Sequence, residues 1–240
     1  MKADPTDLMR LYDVQTLDTA IDKIKHKALA LPIHAQIAAL LTRRTQIGDE
    51  VIAAKTALSD ATSLAQRSEA DVVPVRERLV RNQKRVDEGL MDPKALPAAL
   101  EEIQHLKQRI SDLEDTALET MEAMESAQAT FDDITAQAGG LEAELHKLVE
   151  QRDTEVSHLA GESKELSKER AQTAQPIAAD LMALYEKIRT RASGIGIAKL
   201  EGRRCLGCDL EATVADYNSY LKAAPDEVLR CAECDRILMR

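Results

Sequence analysis

From Ile33 to Leu148 the apolar residues of this chain advance in steps of three and four, and the stripe breaks at Gly89-Leu-Met-Asp-Pro-Lys-Ala-Leu-Pro97. Before the break lie Ile33, Ile37, Leu40, Ile47, Val51, Ala54, Leu58, Ala61, Val72, Val75, Leu79 and Val86. After it come Ile103, Leu106, Ile110, Leu113, Ala117, Met124, Phe131, Ile134, Ala138, Leu141, Leu145 and Leu148. A helix turns once in about 3.6 residues, so each set lines one face, and a narrow apolar face of that length needs a partner helix. Glycine can end one helix and Asp92-Pro93 can start the next, so the two stripes are expected to meet as an antiparallel coiled-coil hairpin. At about 1.5 Å per residue, residues 33–88 would extend about 85 Å, and position i would face roughly 186 minus i. With one phenylalanine and no tryptophan in 240 residues, a large aromatic core is excluded.

That mirror relation sets Gly48 near Gly139-Gly140. Two readings stay open: a bend or close approach of the two helices, or glycines simply tolerated in a long helix at about 1 kcal/mol each. Pro74 is expected to kink the first arm. Beyond Leu148 the steps shift to Val156, Leu159, Ser163 and Leu166, which reads as a stutter. A further helix should start after Asp4, with Pro5 in its first turn and Leu8, Leu11, Leu17, Ile21 and Ile24 as its face. Pro32 ends that pattern; the helix either continues as an extension or folds back against the last helix. Pro176 should kink the descending helix before Ile177, Leu181, Leu184 and Ile188.

All four cysteines fall in the last 36 residues, as Cys205-Leu-Gly-Cys208 and Cys231-Ala-Glu-Cys234. A C-x2-C-x22-C-x2-C array matches the ligand set of a structural zinc site, in which two knuckles complete a tetrahedron of thiolates and leave no position for water. Paired disulfides are the competing reading, disfavoured by the lack of a signal peptide; a thioredoxin-like pair would need a βαβ setting that the pattern lacks. From about Gly194 onward large apolar residues are few, so one Zn²⁺ would supply much of the folding free energy. Ile195, Ile197 and Leu200 suggest a strand before the first knuckle, Ile237-Leu238-Met239 another after the second, and Thr213 to Ala223 a short helix between them. The fold class is therefore mainly α, a long antiparallel coiled-coil hairpin over 1–192 with its tip near 89–97, and a small β-rich zinc ribbon over 193–240.

The leading helix, the hairpin with Leu113-Glu-Asp, Leu118-Glu and Met121-Glu122, then Gly194-Ile-Gly-Ile-Ala-Lys, two knuckles and Asp235-Arg-Ile-Leu resemble the bacterial C4-type zinc-ribbon coiled-coil proteins over nearly the whole chain. The resemblance implies a cytoplasmic, non-enzymatic protein that binds nucleic acid, with some relatives linked to RNA or to transcription and export factors. It transfers only Cys205, Cys208, Cys231 and Cys234, as metal ligands. One departure is that glycine commonly follows the second cysteine of each knuckle in that family, whereas this chain has Asp209 and Asp235. Aspartate tolerates the left-handed conformation better than most residues, but its charge is expected to repel four thiolates and weaken metal binding.

The net charge of −10 opposes strong binding to a polyanion. Locally, Arg189, Arg191, Lys199, Arg203 and Arg204 stand against Glu201 alone and form a candidate basic collar for phosphate contacts, each releasing a counterion. A second cluster, Arg76, Arg78, Arg81, Lys84 and Arg85, is interleaved with Glu77, Asp87 and Glu88 and reads better as a solvated helix face. Tyr217 and Tyr220 are the nearby stacking candidates. His26, His34, His105, His146 and His158 are scattered without a nucleophile or ligand spacing, so no enzyme is expected. No helix reads as a membrane span. Three function classes follow, in order: a nucleic-acid-binding regulator of gene expression touching RNA or DNA through the collar, a protein adaptor using rod or ribbon, and a thiol redox switch. A monomer is expected, since the hairpin uses its own apolar stripe.

Overall fold

The computed structural model describes residues 1–240. Its elements are α1 (Pro5–Leu29), α2 (Pro32–Asp87), α3 (Leu96–Ala174), α4 (Ala179–Arg191), β1 (Ile197–Glu201), β2 (Arg204–Cys205), α5 (Val214–Lys222), β3 (Leu229–Arg230) and β4 (Ile237–Met239). They group into two compact units, one of Gln36–Leu148 and one of Met1–Ala35 with Val149–Arg240. No helix is long and apolar enough to cross a membrane.

The first unit is the coiled-coil hairpin that the paired stripes require. Ile37, Ile47, Ala54 and Val72 of α2 and Ile103, Ile110 and Leu145 of α3 are buried, and the intervening stripe positions are half-buried, as expected where two helices have only each other to cover them. Arg44 forms an ion pair with Glu142, the position the mirror relation assigns to it; Arg76 with Glu114 and Arg78 with Glu102 fall within about two helical turns of theirs. The tip is capped chemically. Gly89 takes φ 66°, Leu90 N–H donates to Arg85 O at 3.1 Å and Gly89 N–H to Val86 O at 3.1 Å, a glycine-terminated helix end that satisfies the last carbonyls of α2. Asp92 then accepts from Lys94 N–H at 2.8 Å through its side chain and from Ala95 N–H at 2.9 Å through its carbonyl, starting the next helix. Helix α2 runs through Pro74 without a break.

The three clustered glycines do not mark a close approach. A Cβ built on Gly48, Gly139 or Gly140 meets nothing within 4 Å, and both helices continue through them. They are tolerated by length. The long helices keep their neighbours' hydrogen bonds in register on either side, so each glycine costs only its own backbone freedom.

In the second unit, α1 folds back, which resolves the ambiguity left by Pro32. Its N-cap Asp4 accepts from Thr6 N–H at 2.8 Å, and Pro5 opens the first turn. Leu8, Leu11 and Val14 pack in one core with Ile177, Leu181, Tyr185, Ile188, Ile197 and Ile237, so α1, α4, β1 and β4 share an interior. Of the expected α1 face, Leu8, Leu11 and Ile21 are buried, Leu17 and Ile24 half-buried, and Val14 takes a fully buried place. Pro176 does more than kink the chain: α3 stops at Ala174 and α4 restarts at Ala179, because proline cannot donate to the ladder and restricts the residue before it.

The ribbon is a four-stranded sheet in the order β2-β1-β4-β3. β1 pairs parallel with β4, Ile197 opposite Ile237 and Lys199 opposite Met239, while β2 and β3 flank them antiparallel. One face of the β1/β4 pair feeds the core shared with α1; the other, with Ala198 and Leu238, meets Ala212, Tyr220, Leu229 and the cysteines. Thr213 caps α5 by accepting from Asp216 N–H at 3.1 Å while its hydroxyl donates to the Asp216 carboxylate at 2.6 Å. Ahead of α1, Ala3 N–H donates to Asp226 O at 2.8 Å and Val228 N–H to Met1 O at 3.0 Å, so the first residues run beside the segment that leads into β3.

Candidate metal centre and the charges around it

The two knuckles are built alike. Asp209 N–H donates to Cys205 O at 2.8 Å and Asp235 N–H to Cys231 O at 2.9 Å, which closes each turn. Each first cysteine then donates its N–H five residues ahead, Cys205 to Leu210 O at 3.0 Å and Cys231 to Arg236 O at 2.9 Å. Asp209 and Asp235 take φ 63° and 61°, the left-handed conformation that glycine would supply at no steric cost. Gly207 has a different duty. A Cβ there would come within 2.7 Å of Arg236 Cδ and 2.9 Å of Ala198 Cβ, so the first knuckle lies close against both.

The result is four free thiols whose Sγ atoms all lie within 4.8 Å of one another. Across the knuckles, Cys205 Sγ is 3.9 Å from Cys234 Sγ and Cys208 Sγ 3.9 Å from Cys231 Sγ. A disulfide would need about 2.05 Å. Four sulfurs about 2.3 Å from one tetrahedral ion would stand about 3.8 Å apart, so the donor set fits such an ion. Cys205 and Cys231 are buried, Cys208 and Cys234 half-buried.

The local field acts in opposite directions on Cys234 and on Cys208 and Cys231. Burial would raise Cys234, but hydrogen bonds from the backbone and side chain of Arg236 and from neighbouring thiols outweigh it and lower the group to about 7. Burial pushes Cys231 up to about 12 and also raises Cys208. Binding a metal must displace these protons, which makes it pH-dependent. Arg236 is a supporting residue that the cysteine spacing did not reveal. Its guanidinium also donates to Ile195 O at 3.0 Å and Ala192 O at 2.8 Å, tying the second knuckle to the entry of β1. The only sequence signal for it was a cation two residues past the second knuckle.

The repulsion expected from the two aspartates is offset. Asp235 is ion-paired with Arg191 and Arg230, and Asp209 lies 3.4 Å from Arg204. Their charges are spent on arginines rather than directed at sulfur.

The five candidate phosphate contacts are not assembled into one surface. Arg189 turns inward, donating to Asp22 at 2.6 Å and standing 3.6 Å from Asp18, with only 21% of its side chain exposed. Arg191 pairs with Asp235, Arg203 lies 3.5 Å from Glu211 and Arg204 pairs with Asp209. Lys199 sits over the Tyr12 ring, 4.9 Å from its centroid. In the tip cluster Arg76, Arg78, Arg81 and Lys84 all have carboxylate partners, as a solvated face would. Tyr220 is buried, and its hydroxyl accepts from Ala232 N–H at 3.1 Å beside the second knuckle, while Tyr217 packs half-buried on the same core.

Behind Arg189 lies a polar network that periodicity could not show. Asp18, 4% exposed, accepts from Arg170 Nε at 3.2 Å and Nη2 at 3.3 Å and from the Tyr185 hydroxyl at 2.8 Å. Gln15 accepts from Gly196 N–H at 2.6 Å and donates to Gly194 O at 2.9 Å, so α1 grips the strand leading to the first knuckle.

The profile of the CT398-like coiled coil hairpin domain matches residues 14–193. The chain belongs to the CT398-like coiled coil hairpin family. Among curated relatives, an uncharacterized protein of Mycobacterium tuberculosis is 29% identical over 240 residues, covering 100% of this chain and 98% of its own length. A counterpart in Mycobacterium leprae is 26% identical, over 92% of this chain and 95% of its own. A solved structure from Mycobacterium smegmatis superposes with a TM-score of 0.85 at 28% identity over 100% of both chains. CT398 from Chlamydia trachomatis superposes at 0.67 with 16% identity over 97% of each chain, a likeness of fold alone.

Proposed function

We propose that this member of the CT398-like coiled coil hairpin family is a non-enzymatic adaptor, in which a ribbon held by one structural zinc ion recognises a protein partner. The observation that carries the reading is the state of the basic residues: Arg189, Arg191, Arg203 and Arg204 all face carboxylates, in a chain of net charge −10. A polyanion tracks unpaired cations, and these are already neutralised. The same ribbon exposes Leu206, Leu210, Val214 and Leu221, apolar side chains suited to contact with protein. Zinc is the ion of choice because four sulfur donors form a closed tetrahedral set, which holds structure and leaves no position for a reacting water. Elemental analysis should find one zinc per chain.

A second reading, a nucleic-acid-binding regulator, draws on the exposure of three of those pairs. Arg191, Arg203 and Arg204 keep 49%, 42% and 53% of their side chains in water, and such surface pairs contribute about 0–1 kcal/mol, so phosphate can compete for them. Fluorescence anisotropy of zinc-loaded protein with mixed short RNA and DNA, at two salt concentrations, separates the two readings. The comparison variant is Arg191→Ser/Arg203→Ser/Arg204→Ser, which spares Arg189. Absence of binding at low salt supports the adaptor; salt-sensitive binding that the variant loses overturns it.

A further inference from the structure

Between α1 and the ribbon lies a groove of about 370 Å³. Ile195, Ala198 and Leu206 form its apolar floor, Tyr12 stands at its side, and Lys23 and Lys199 rise from its rim. Leu206 is a knuckle residue that lines the groove and keeps 49% of its surface exposed. Neither Lys23 nor Lys199 has a carboxylate within ion-pair distance, and the Tyr12 hydroxyl has no protein hydrogen bond. The Thr16 and Thr19 hydroxyls, by contrast, donate to Tyr12 O and Gln15 O of their own helix.

The charge of this lining is exceptional for the molecule. The chain has 42 acidic residues against 32 lysines and arginines, yet no aspartate or glutamate lines the groove. The collar arginines are quenched by carboxylates, while these two lysines are left free beside buried apolar surface. Cations left unpaired at the edge of an apolar floor complement a ligand that carries an apolar side chain flanked by negative charge.

We infer that the groove between α1 and the first knuckle is a docking site for a short acidic segment of a partner protein, which seats one large apolar side chain on Ile195, Ala198 and Leu206 and sets carboxylates against Lys23 and Lys199. The inference rests on the adaptor reading and names its surface. An oligonucleotide fits less well. Two lysines neutralise two phosphates at most, and the floor rewards an alkyl or aromatic side chain. The Lys199 ammonium also lies 4.9 Å from the centroid of the Tyr12 ring, a contact that leaves it without an anionic partner.

The test is selection of a random dodecapeptide phage library on the zinc-loaded full chain, followed by anisotropy of the enriched peptides on wild type and on Lys23→Glu/Lys199→Glu. Both lysines are exposed and the double variant gives up only the Lys199–Tyr12 contact, so it should keep the zinc content and a melting curve close to that of wild type; Leu206→Ser serves as a second, uncharged probe of the floor. The expected result is enrichment of sequences with an apolar residue flanked by aspartate or glutamate, which bind at least about tenfold more weakly to the charge-reversed variant and tighten as salt is lowered. Peptides that bind both proteins equally would place docking elsewhere and overturn the groove while leaving the adaptor reading intact. Failure to enrich any peptide, together with oligonucleotide binding that needs Arg191, Arg203 and Arg204, would overturn both.

Discussion

Replacing Asp18 by asparagine removes one charge from the interior of the second unit while keeping the side chain's size, and it should loosen α1 before anything else. Asp18 is 4% exposed and holds three hydrogen bonds, two from Arg170 and one from Tyr185, with Arg189 3.6 Å away. Removing one partner of a buried charge cluster costs about 3–5 kcal/mol, because the remaining charges stay desolvated. Here Arg170 keeps Glu186 and Arg189 keeps Asp22, and both guanidinium groups reach water in part, so the lower end, about 3 kcal/mol, is expected. At about 1.4 kcal/mol per factor of ten, that is a hundredfold or greater increase in amide exchange. Hydrogen exchange followed by mass spectrometry on zinc-loaded protein would read it peptide by peptide, with acceleration in residues 5–29 and 179–191 and none in 36–148. Tyr185→Phe, which removes one bond and leaves the bidentate arginine, should cost about 1–1.5 kcal/mol. If Asp18→Asn changed α1 protection by less than about fivefold, the cluster would be a bystander and apolar packing alone would hold the helix.

Gly196→Ala should destabilise the same region by more than a simple loss of glycine freedom, because its Cβ would stand 2.5 Å from Tyr185 Cδ2 and 2.9 Å from Tyr185 O; a drop in melting temperature of several degrees is expected by calorimetry. Gly139→Ala/Gly140→Ala should act in the opposite direction, stabilising the hairpin by about 1 kcal/mol per site in urea denaturation, since both positions open onto empty space; destabilisation there would restore the close-approach reading. Burial and the Asp18 carboxylate hold Tyr185 as a neutral phenol well above the usual tyrosine range. The unfolded chain would lose that proton near pH 10 while the folded chain keeps it, so this contribution is full below about pH 10 and falls by up to about 1.4 kcal/mol per pH unit above it. Stability measured against alkaline pH should show that slope, and Tyr185→Phe should flatten it.

Much of this architecture was written locally. The stripes of α2 and α3 have partners of the same kind at mirrored positions, Gly89 and Asp92 end and begin helices by chemistry contained within a few residues, and Thr213 marks α5 through a hydroxyl that accepts from the amide three residues on. The four cysteines are legible for the same reason, since each knuckle closes on itself. What escaped reading depends on distant partners. Asp18 and Gln15 look like solvent-side residues of α1 until Arg170, Tyr185 and the β1 entry arrive to satisfy them. Arg189 looks like a free cation until Asp22 is placed beside it. Val14 falls on the buried face because two surfaces, α4 and the ribbon, cover α1 and widen its buried arc beyond the stripe that one partner would need.

The shared interior of α1 and the ribbon also sets an order of events during synthesis. Leu8, Leu11 and Val14 are synthesised some two hundred residues ahead of Ile197 and Ile237, against which they pack. At about 5–20 residues per second, the first helix waits about 10–45 s with its apolar face uncovered. Its two buried polar residues lessen the hazard, since a face interrupted by Gln15 and Asp18 is a poorer template for stray hydrophobic association. Helix α1 is thus made well before the surfaces it docks on, and its docking closes the unit only when the second knuckle is complete.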